Sequence, residues 1–398
     1  MLAENGEFIV NFIGDKQSIG WVCDFWPIFV IAFSCSLCAT WLCKKLAIKY
    51  NIVDKPDLTV KTHKEPIAYL GGIGILTGFA VAILYGIYHQ YHANSNKDPV
   101  IMGNIIKWLL GILAGGTIAC VVGVIDDVID LAPKKKLLGQ LLAACMLILV
   151  SIYPSLGFLH NLAGITVADN IEALIGIPLT IMFVLGATNS LNLLDGLDGL
   201  CAGVTVIITL AMLFLAVHLG TYGSNLEADP VRIIVCLALV GGVLGFMPFN
   251  RHPAKIFMGD AGSMLLGFVV AAMMLMFAQF HPRWMLAALV VFGLPILDTA
   301  TALVRRFMNK RPLLISDRGH LYDQLMDRGY SLKKTVRICY ALSAIFAIIG
   351  VSMSLIPTRF AICFYVLVFA ASALVIWKKG FLRMEGLRGA VKKDTKKT

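Results

Sequence analysis

Four short segments that lie far apart in the sequence concentrate the side chains able to do chemistry. They are V-I-D-D-V-I-D ending at residue 130, N-S-L-N-L-L-D-G-L-D-G-L from residue 189, F-M-G-D-A-G-S from residue 257 and I-S-D-R-G-H ending at residue 320. The second segment offers carboxylate and amide oxygens without Cys or His, and such oxygens are the ligands that hard cations such as Mg²⁺ prefer. The segments therefore predict a magnesium site, and nearby basic residues predict a phosphate-bearing substrate.

The first segment carries three acids, of which Asp126 and Asp127 are adjacent and Asp130 follows three or four residues later. This spacing predicts carboxylates on one face of a helix. Like charges so close repel each other, and a raised pKa on one of them or a bound cation relieves the repulsion. The alternative is three solvated acids in a loop ahead of a helix that begins at Pro133.

The second segment repeats amide and acid side chains at intervals of three, with a glycine after each acid. The residues are Asn189, Asn192, Asp195 and Asp198, with Gly196 and Gly199. The glycines would let the backbone approach a ligand closely where the helix breaks. An Asp-Gly turn between two spans is the alternative, but it leaves the two asparagines unexplained.

The last two segments add candidate groups for binding phosphate. Asp260 lies between two glycines, and Ser263 opens the next predicted span, so amides at a helix start could hold phosphate. A common turn is the alternative there. The fourth segment places Arg318 and His320 in a basic loop. Arginine suits bidentate phosphate recognition, and His320 could donate to a diphosphate, shuttle a proton or simply be solvated.

The composition indicates which elements must position these groups. The chain has 398 residues, of which 58% are hydrophobic and 15% charged, and its mean hydropathy is +0.81, which excludes a water-soluble globule of this size. Apolar runs of about 20 residues recur along the chain. They predict one domain, an all-α polytopic membrane protein with about eleven transmembrane helices. The spans are expected near 23–43, 68–88, 105–125, 137–153, 173–191, 200–220, 231–249, 262–281, 284–304, 337–356 and 358–377.

The distribution of basic residues predicts the orientation. Most of the 34 Lys and Arg residues fall in alternate loops and in the C-terminal tail, residues 378–398. By the positive-inside rule, the N-terminus is outside and the C-terminus is cytoplasmic. All four segments then lie on the cytoplasmic face, where a helix bundle could bring them together. The basic tail is expected to attract anionic lipid headgroups, and no nucleic-acid partner is expected.

From Asp54 to about Tyr330 the chain resembles the polyprenyl-phosphate N-acetylhexosamine-1-phosphate transferases. The matching strings are D-K-P, H-K-E-P with two following glycines, D-D-V-I-D, K-L-L-G-Q, N-S-L-N-L-L-D-G-L-D-G-L, F-M-G-D-A-G-S and D-R-G-H. The resemblance implies transfer of a sugar 1-phosphate from a UDP-sugar to undecaprenyl phosphate in the bacterial cytoplasmic membrane. UMP is released, and a cell-envelope glycan such as a wall polymer or lipopolysaccharide is begun.

The resemblance also implies roles for individual residues. Mg²⁺ is the expected cofactor, with Mn²⁺ as the alternative, and Asn192 and Asp260 are its expected ligands. Asp126 or Asp127 would activate or orient the lipid phosphate, by direct attack or through a covalent aspartyl intermediate. Asp195 and Asp198 would lie near the metal and nucleotide as catalytic groups. The expected substrate-binding residues are Lys136, Asn189, Asp198, Arg318 and His320, and His320 is also a catalytic candidate.

Two departures from family patterns indicate the branch. Leu194 stands where the muramoyl-pentapeptide transferases have Thr, and no triple His is present, so UDP-GlcNAc is the favoured donor. Relatives often read D-R-x-H-x-H-H, whereas Tyr322 and Asp323 occupy the last two positions here. The alternatives are a phospho-MurNAc-pentapeptide transferase and an ion-coupled transporter. Of the prominent acids only Asp298 is predicted mid-span, where it could be a polar anchor.

Overall fold

The computed structural model describes residues 16–54, 66–93, 98–155, 168–222, 228–279, 282–310, 319–356 and 358–382, and these ranges are mostly helical. The helices are α1 (Lys16–Lys49), α2 (Gly71–Ala93), α3 (Pro99–Ile129), α4 (Pro133–Leu149), α5 (Asp169–Leu194), α6 (Leu200–Tyr222), α7 (Ala228–Asn250), α8 (Gly259–Ala278), α9 (Pro282–Val291), α10 (Gly293–Met308), α11 (Leu321–Asp327), α12 (Leu332–Ser354) and α13 (Thr358–Lys378). Two short strands, β1 (Val53–Asp54) and β2 (Ile67–Ala68), pair antiparallel.

The helices confirm an all-α polytopic membrane protein. Within the described ranges, eight helices are long and apolar enough to cross a membrane, or up to nine if α9 and α10, which meet at 71°, form one broken span. The predicted spans near 137–153 and 358–377 correspond to α4, which has 17 residues, and to α13, whose apolar part is short. The count of eleven and the orientation stay predictions.

The bundle is built around α7 and α8. The apolar window of α8 is completely buried inside the protein and that of α7 nearly so, whereas the windows of the other candidate spans are 22–67% buried. α8 packs against α3 and α5, and α7 packs against α1, α2 and α6. Because the two central helices have neighbours on all sides, their ends are fixed by several other helices.

Glycines set how closely the site-bearing helices approach each other. A Cβ atom on Gly123 of α3 would overlap the α8 backbone at Asp260 and Ala261, and one on Gly267 of α8 would overlap the α5 backbone at Thr188. Small residues at such crossings permit backbone contact between membrane helices. The crossings lie near Asp126 of α3, Asn192 of α5 and Asp260 of α8, so close packing brings these three side chains together.

A short extended connection ties the chain before α2 to the chain before α8. The amide of Phe257 donates to the carbonyl of Ala68 over 2.9 Å, and the amide of Gly71 donates to the carbonyl of Phe257 over 3.0 Å. β1 pairs with β2 in the register Val53 to Ala68. The residues around β2 therefore lie beside the start of α8, where Asp260 is found.

Candidate active site

Three oxygen atoms from three helices surround the ammonium group of Lys136. The Nζ atom lies 3.0 Å from Asp126 Oδ2 and 3.1 Å from Asn192 Oδ1, and it also forms a short ion pair with Asp260 Oδ2. Lys136 belongs to the first turn of α4, while its partners come from the end of α3, the end of α5 and the start of α8. The predicted convergence of distant acids is confirmed for these residues.

These oxygens also fit a divalent metal ion. Among the described residues, no three His, Cys, Asp or Glu side chains group closely enough to hold a metal by themselves. Mg²⁺ is usually bound through one or two carboxylates, with water and substrate phosphates completing its shell. Asp260 and Asn192 already direct oxygens at a cation, the Lys136 ammonium. Asp260 and Asn192 therefore have the chemistry expected of metal ligands.

Asn192 is held in place by its amide nitrogen. Its Nδ2 atom donates to Asp260 Oδ1 over 2.6 Å and to Ser263 Oγ over 3.0 Å. Both acceptors belong to the first turns of α8. Because Nδ2 is engaged there, the carbonyl oxygen of Asn192 faces Lys136.

Asp127 has partners quite different from those of its neighbour. Its carboxylate accepts the backbone amide of Asp260 over 2.9 Å and that of Ala261 over 3.2 Å. A carboxylate at this position satisfies free amides and complements the positive end of the helix dipole. Asp127 therefore occupies these two amides in this structure, and the expectation that amides at this helix start hold phosphate stays a prediction.

Asp130 does not share the helix face with the other two acids. α3 ends at Ile129, and Asp130 has a left-handed backbone conformation with φ of 49° and an exposed side chain. Asp126 closes the helix at this point, since its carbonyl accepts the amide of Asp130 and its Oδ1 accepts the amide of Leu131 over 2.7 Å. The expectation of three carboxylates on one face is wrong for Asp130.

The second segment is divided between the end of α5 and a turn. Asn189 donates its Nδ2 to Gln140 Oε1 over 2.9 Å and to the carbonyl of Leu185 over 2.7 Å, so its side chain joins α5 to α4. Its substrate-binding role stays a prediction. Asp198 follows the helix, accepts the amide of Ala254 over 3.1 Å and lies 2.7 Å from His252 Nδ1. Asp198 therefore faces the loop before α8.

Asp195 directly follows α5 and is partly buried. No described residue forms a hydrogen bond with its carboxyl group. Burial raises the pKa of Asp195 well above its usual range, and the negative charges of Asp260, Asp127 and Asp198 raise it further. A carboxyl group without a partner beside these acids could receive a proton or a ligand.

Tyr322, in the first turn of α11, reaches the same region, although the sequence marks it only as a departure from the family pattern. A Cβ atom on Gly196 would overlap the Tyr322 hydroxyl, so that hydroxyl lies against the first Asp-Gly pair. The Tyr322 ring also stacks on the ring of His320, with centroids 5.9 Å apart and planes at 14°. His320 is therefore joined to the acidic turn. Arg318 lies outside the described residues.

Two further residues near the site carried no sequence signal. Tyr69 follows β2, and burial first, then the charges of Asp54 and Asp127, raises the pKa of its phenol. An isolated tyrosine ahead of a glycine pair gives no pattern that predicts such a position. Tyr340 of α12 donates its hydroxyl to the carbonyl of Gly199 over 2.6 Å, which fixes the second glycine of the turn.

Comparisons with known proteins match the region of the sequence that carries the site. Residues 109–278 match the model of glycosyl transferase family 4, a region that carries three of the four segments. A Bacillus subtilis (strain 168) protein named "Probable undecaprenyl-phosphate N-acetylglucosaminyl 1-phosphate transferase" is 31% identical over 326 residues, which are 80% of this chain and 82% of that protein.

Two more relatives represent neighbouring branches. A decaprenyl-phosphate N-acetylglucosaminephosphotransferase of Mycolicibacterium smegmatis is 30% identical over 78% of this chain and 77% of its own length. A phospho-N-acetylmuramoyl-pentapeptide-transferase of Desulforamulus reducens is 32% identical over 71% of this chain and 80% of its own length. The matches extend over most of each protein and include the convergent acids, so this chain belongs to glycosyl transferase family 4, whose members include polyprenyl-phosphate sugar-1-phosphate transferases.

Proposed function

We propose that this protein transfers N-acetylglucosamine 1-phosphate from UDP-GlcNAc to undecaprenyl phosphate and releases UMP. The observation that carries the proposal is the convergence of Asp126, Asn192 and Asp260 on Lys136, which supplies oxygens and a cation at one point. Relatives named for transfer of GlcNAc phosphate support the choice of sugar. The product, a lipid-linked diphospho-sugar, would begin a cell-envelope glycan.

The proposed reaction brings anionic substrates together. In its direct form, an oxygen of the lipid phosphate bonds to the phosphorus atom that carries the sugar, and the bond from that phosphorus to the UMP oxygen breaks. Such transfers depend on positioning and on positive charge. Lys136 supplies one charge. Asp260 and Asn192 would hold Mg²⁺, which when bound neutralises charge on the diphosphate.

The two adjacent acids of α3 take different parts in this proposal. Asp126 and Asp260 both form ion pairs with Lys136. Asp126 therefore lies next to the proposed position of the reacting phosphates. Asp127 is engaged by the first amides of α8 and fixes the helix that presents Asp260. We therefore assign the orientation of the lipid phosphate to Asp126 and the support of α8 to Asp127.

We propose that the site lies on the cytoplasmic face of the cytoplasmic membrane. The basic loops support this orientation by the positive-inside rule. UDP-sugars are soluble cytoplasmic donors, whereas the lipid acceptor lies in the membrane. A site at the ends of the helices would give both substrates access.

A transfer assay with purified protein tests the proposal. The reaction contains labelled UDP-GlcNAc, undecaprenyl phosphate and Mg²⁺, and both UMP and lipid-linked sugar are measured. We expect product from the wild type and almost none from Asp260→Asn. Asp130→Asn makes the same change at an exposed acid near the site and should retain activity.

The choice of donor separates the branches of the family. UDP-MurNAc-pentapeptide in place of UDP-GlcNAc should give no lipid product. If it were the better donor, the assignment of GlcNAc would be wrong. Absence of lipid product with every UDP-N-acetylhexosamine would refute the transferase proposal, and full activity of Asp260→Asn would refute the metal-ligand assignment.

A further inference from the structure

Asp298 of α10 makes two hydrogen bonds to the start of α11. Its Oδ2 atom lies 2.9 Å from His320 Nδ1, and its Oδ1 atom accepts the amide of Leu321 over 2.7 Å. The Asp298 residue is only 6% exposed. One buried carboxylate therefore fixes both the imidazole and the backbone directly after it.

The backbone before His320 is held just as closely. The carbonyl of Gly319 accepts a short hydrogen bond from the Arg305 guanidinium and another from Gln324 Nε2 over 2.9 Å. Arg305 is fully buried, and a Cβ atom on Gly319 would overlap its guanidinium. Donors from α10 and α11 thus leave His320 little freedom to turn.

The other ring nitrogen of His320 is left without a partner. Nε2 is buried, the residue is 3% exposed, and no described group forms a hydrogen bond with Nε2. A buried polar atom without a hydrogen-bond partner is destabilising, so its presence calls for an explanation. Stacking on Tyr322, whose hydroxyl lies against Gly196, places this ring beside the acidic turn of the proposed active site.

We infer that Asp298 is a positioning residue that keeps the His320 proton on Nδ1 and presents the Nε2 lone pair to the substrate. A carboxylate can only accept hydrogen bonds, so the nitrogen facing it must be the donor. In a neutral imidazole the other nitrogen is then the acceptor. The same pairing orients histidines in other enzymes and at metal sites.

This inference rests on the proposed function for the identity of the substrate. A protonated oxygen of the lipid phosphate gives its proton to Nε2 as that oxygen bonds to phosphorus, so an O–H bond breaks and an N–H bond forms. Both ring nitrogens then carry protons, and the Asp298 carboxylate stabilises the imidazolium. The proton passes to water after the products leave.

The substitution Asp298→Asn tests the inference in the full-length protein. The Asn oxygen can still accept the Leu321 amide, but its NH₂ group would donate to Nδ1 and move the imidazole proton to Nε2. Loss of a positioned proton acceptor costs about 10²–10⁴ in rate. We expect kcat to fall by at least about 100-fold, while the KM for UDP-GlcNAc changes by less than about threefold.

Two further variants make the kinetic test specific. His320→Gln should lower kcat as much as Asp298→Asn, and the double variant should be no slower, because residues that act as one unit are not additive. The hydroxyl of Thr301, also in α10, donates to the Leu297 carbonyl one turn earlier in the same helix. Thr301→Val removes this local hydrogen bond and should leave kcat unchanged. The inference would be overturned if the losses of kcat in the two single variants added up in the double variant. An unchanged kcat in Asp298→Asn, or a rise in KM as large as the fall in kcat, would also overturn it.

Nitrogen NMR of histidine-labelled protein provides a readout that does not depend on activity. The wild-type signals that disappear in His320→Gln belong to His320. At a pH where free histidine is neutral, these signals should show a protonated Nδ1 and an unprotonated Nε2. A protonated Nε2 in the wild type would overturn the inference even if Asp298→Asn failed to fold. Absence of sugar transfer by the wild type would refute the proposed function without changing this tautomer.

Discussion

Replacement of Lys136 by Met tests the centre of the site most directly. The side chain of Lys136 is 17% exposed, and those of Asp126 and Asp260 are 10% and 28% exposed, so the ion pairs are largely shielded from water. Removing one partner of a shielded, hydrogen-bonded charge pair costs about 2–5 kcal/mol. If the contact expected between Lys136 and the substrate phosphate contributes a similar free energy, its loss lowers kcat/KM by about 30- to 4,000-fold, at about 1.4 kcal/mol for each factor of ten.

The control for this prediction is the neighbouring residue. Lys135→Met makes the same change of charge and size one residue earlier in α4, where the side chain is exposed, and should stay near the wild-type rate. The transfer assay with labelled UDP-GlcNAc gives kcat/KM for all three proteins. A fall of less than about tenfold in Lys136→Met, or an equal fall in Lys135→Met, would refute the reasoning from the Lys136 contacts.

The Tm of Lys136→Met should also respond differently to Mg²⁺ than the Tm of the wild type. Without the ammonium, Asp126 and Asp260 repel each other, and a divalent cation is the remaining group that can offset both charges. Thermal unfolding followed by tryptophan fluorescence should therefore show a larger rise in Tm on addition of Mg²⁺ for Lys136→Met than for the wild type. An equal rise in both proteins would indicate that Mg²⁺ binds away from these oxygens.

Three further predictions follow from the same geometry. Chelation of divalent cations should abolish sugar transfer by the wild type, and Mg²⁺ should restore it; transfer that persists in excess chelator would contradict the metal assignment. The pKa of Asp195 is raised in the folded state, so above pH about 4 the folded protein binds more protons than the unfolded chain. The free energy of unfolding should therefore fall as the pH rises from about 4 through the pKa of the folded state. The Tm of Asp195→Asn should fall less over that window, and parallel Tm profiles would exclude Asp195 as the cause. Gly123→Val should lower Tm and activity because its side chain would meet the α8 backbone, whereas Gly103→Val, on the same helix with open space around it, should do neither.

The convergence of the acids could be predicted because it depends on chain topology alone. Apolar runs fix where helices begin and end, and the basic loops assign those ends to faces, so Asp126, Asn192 and Asp260 had to lie on one side of the bundle. Their contacts with Lys136 also agree with this placement. The number of spans was less predictable, because hydropathy does not reveal the bend between α9 and α10.

The different contacts of the adjacent acids Asp126 and Asp127 could not be predicted from the sequence. Asp126 and Asp127 point about 100° apart around α3, so one faces Lys136 and the other faces α8. Which acid faces which helix depends on the crossing at Gly123, a three-dimensional contact. The hydrogen-bond partner of His320 could not be predicted either, because Asp298 lies 22 residues earlier and belongs to no recognised motif.

Asp298 also bears on the transporter alternative. It is the acid that the sequence placed in the middle of a span, where an ionisable side chain is commonly part of an ion pathway. In the structure both of its oxygens are engaged by His320 and Leu321 at the start of α11. This use of the carboxylate favours an enzyme site that extends along α10 over an ion pathway.

If Asp260 and Asn192 hold a metal ion as proposed, we expect substrate binding to rearrange the contacts of Lys136. The ammonium and a metal ion would compete for the same oxygens of Asp260 and Asn192, and two cations cannot share them at hydrogen-bond distance without strong repulsion. A diphosphate offers the displaced ammonium new acceptors. Lys136 is therefore expected to hold the acids together before the substrate arrives and to contact phosphate afterwards, which makes its contacts with Asp260 and Asn192 a resting arrangement.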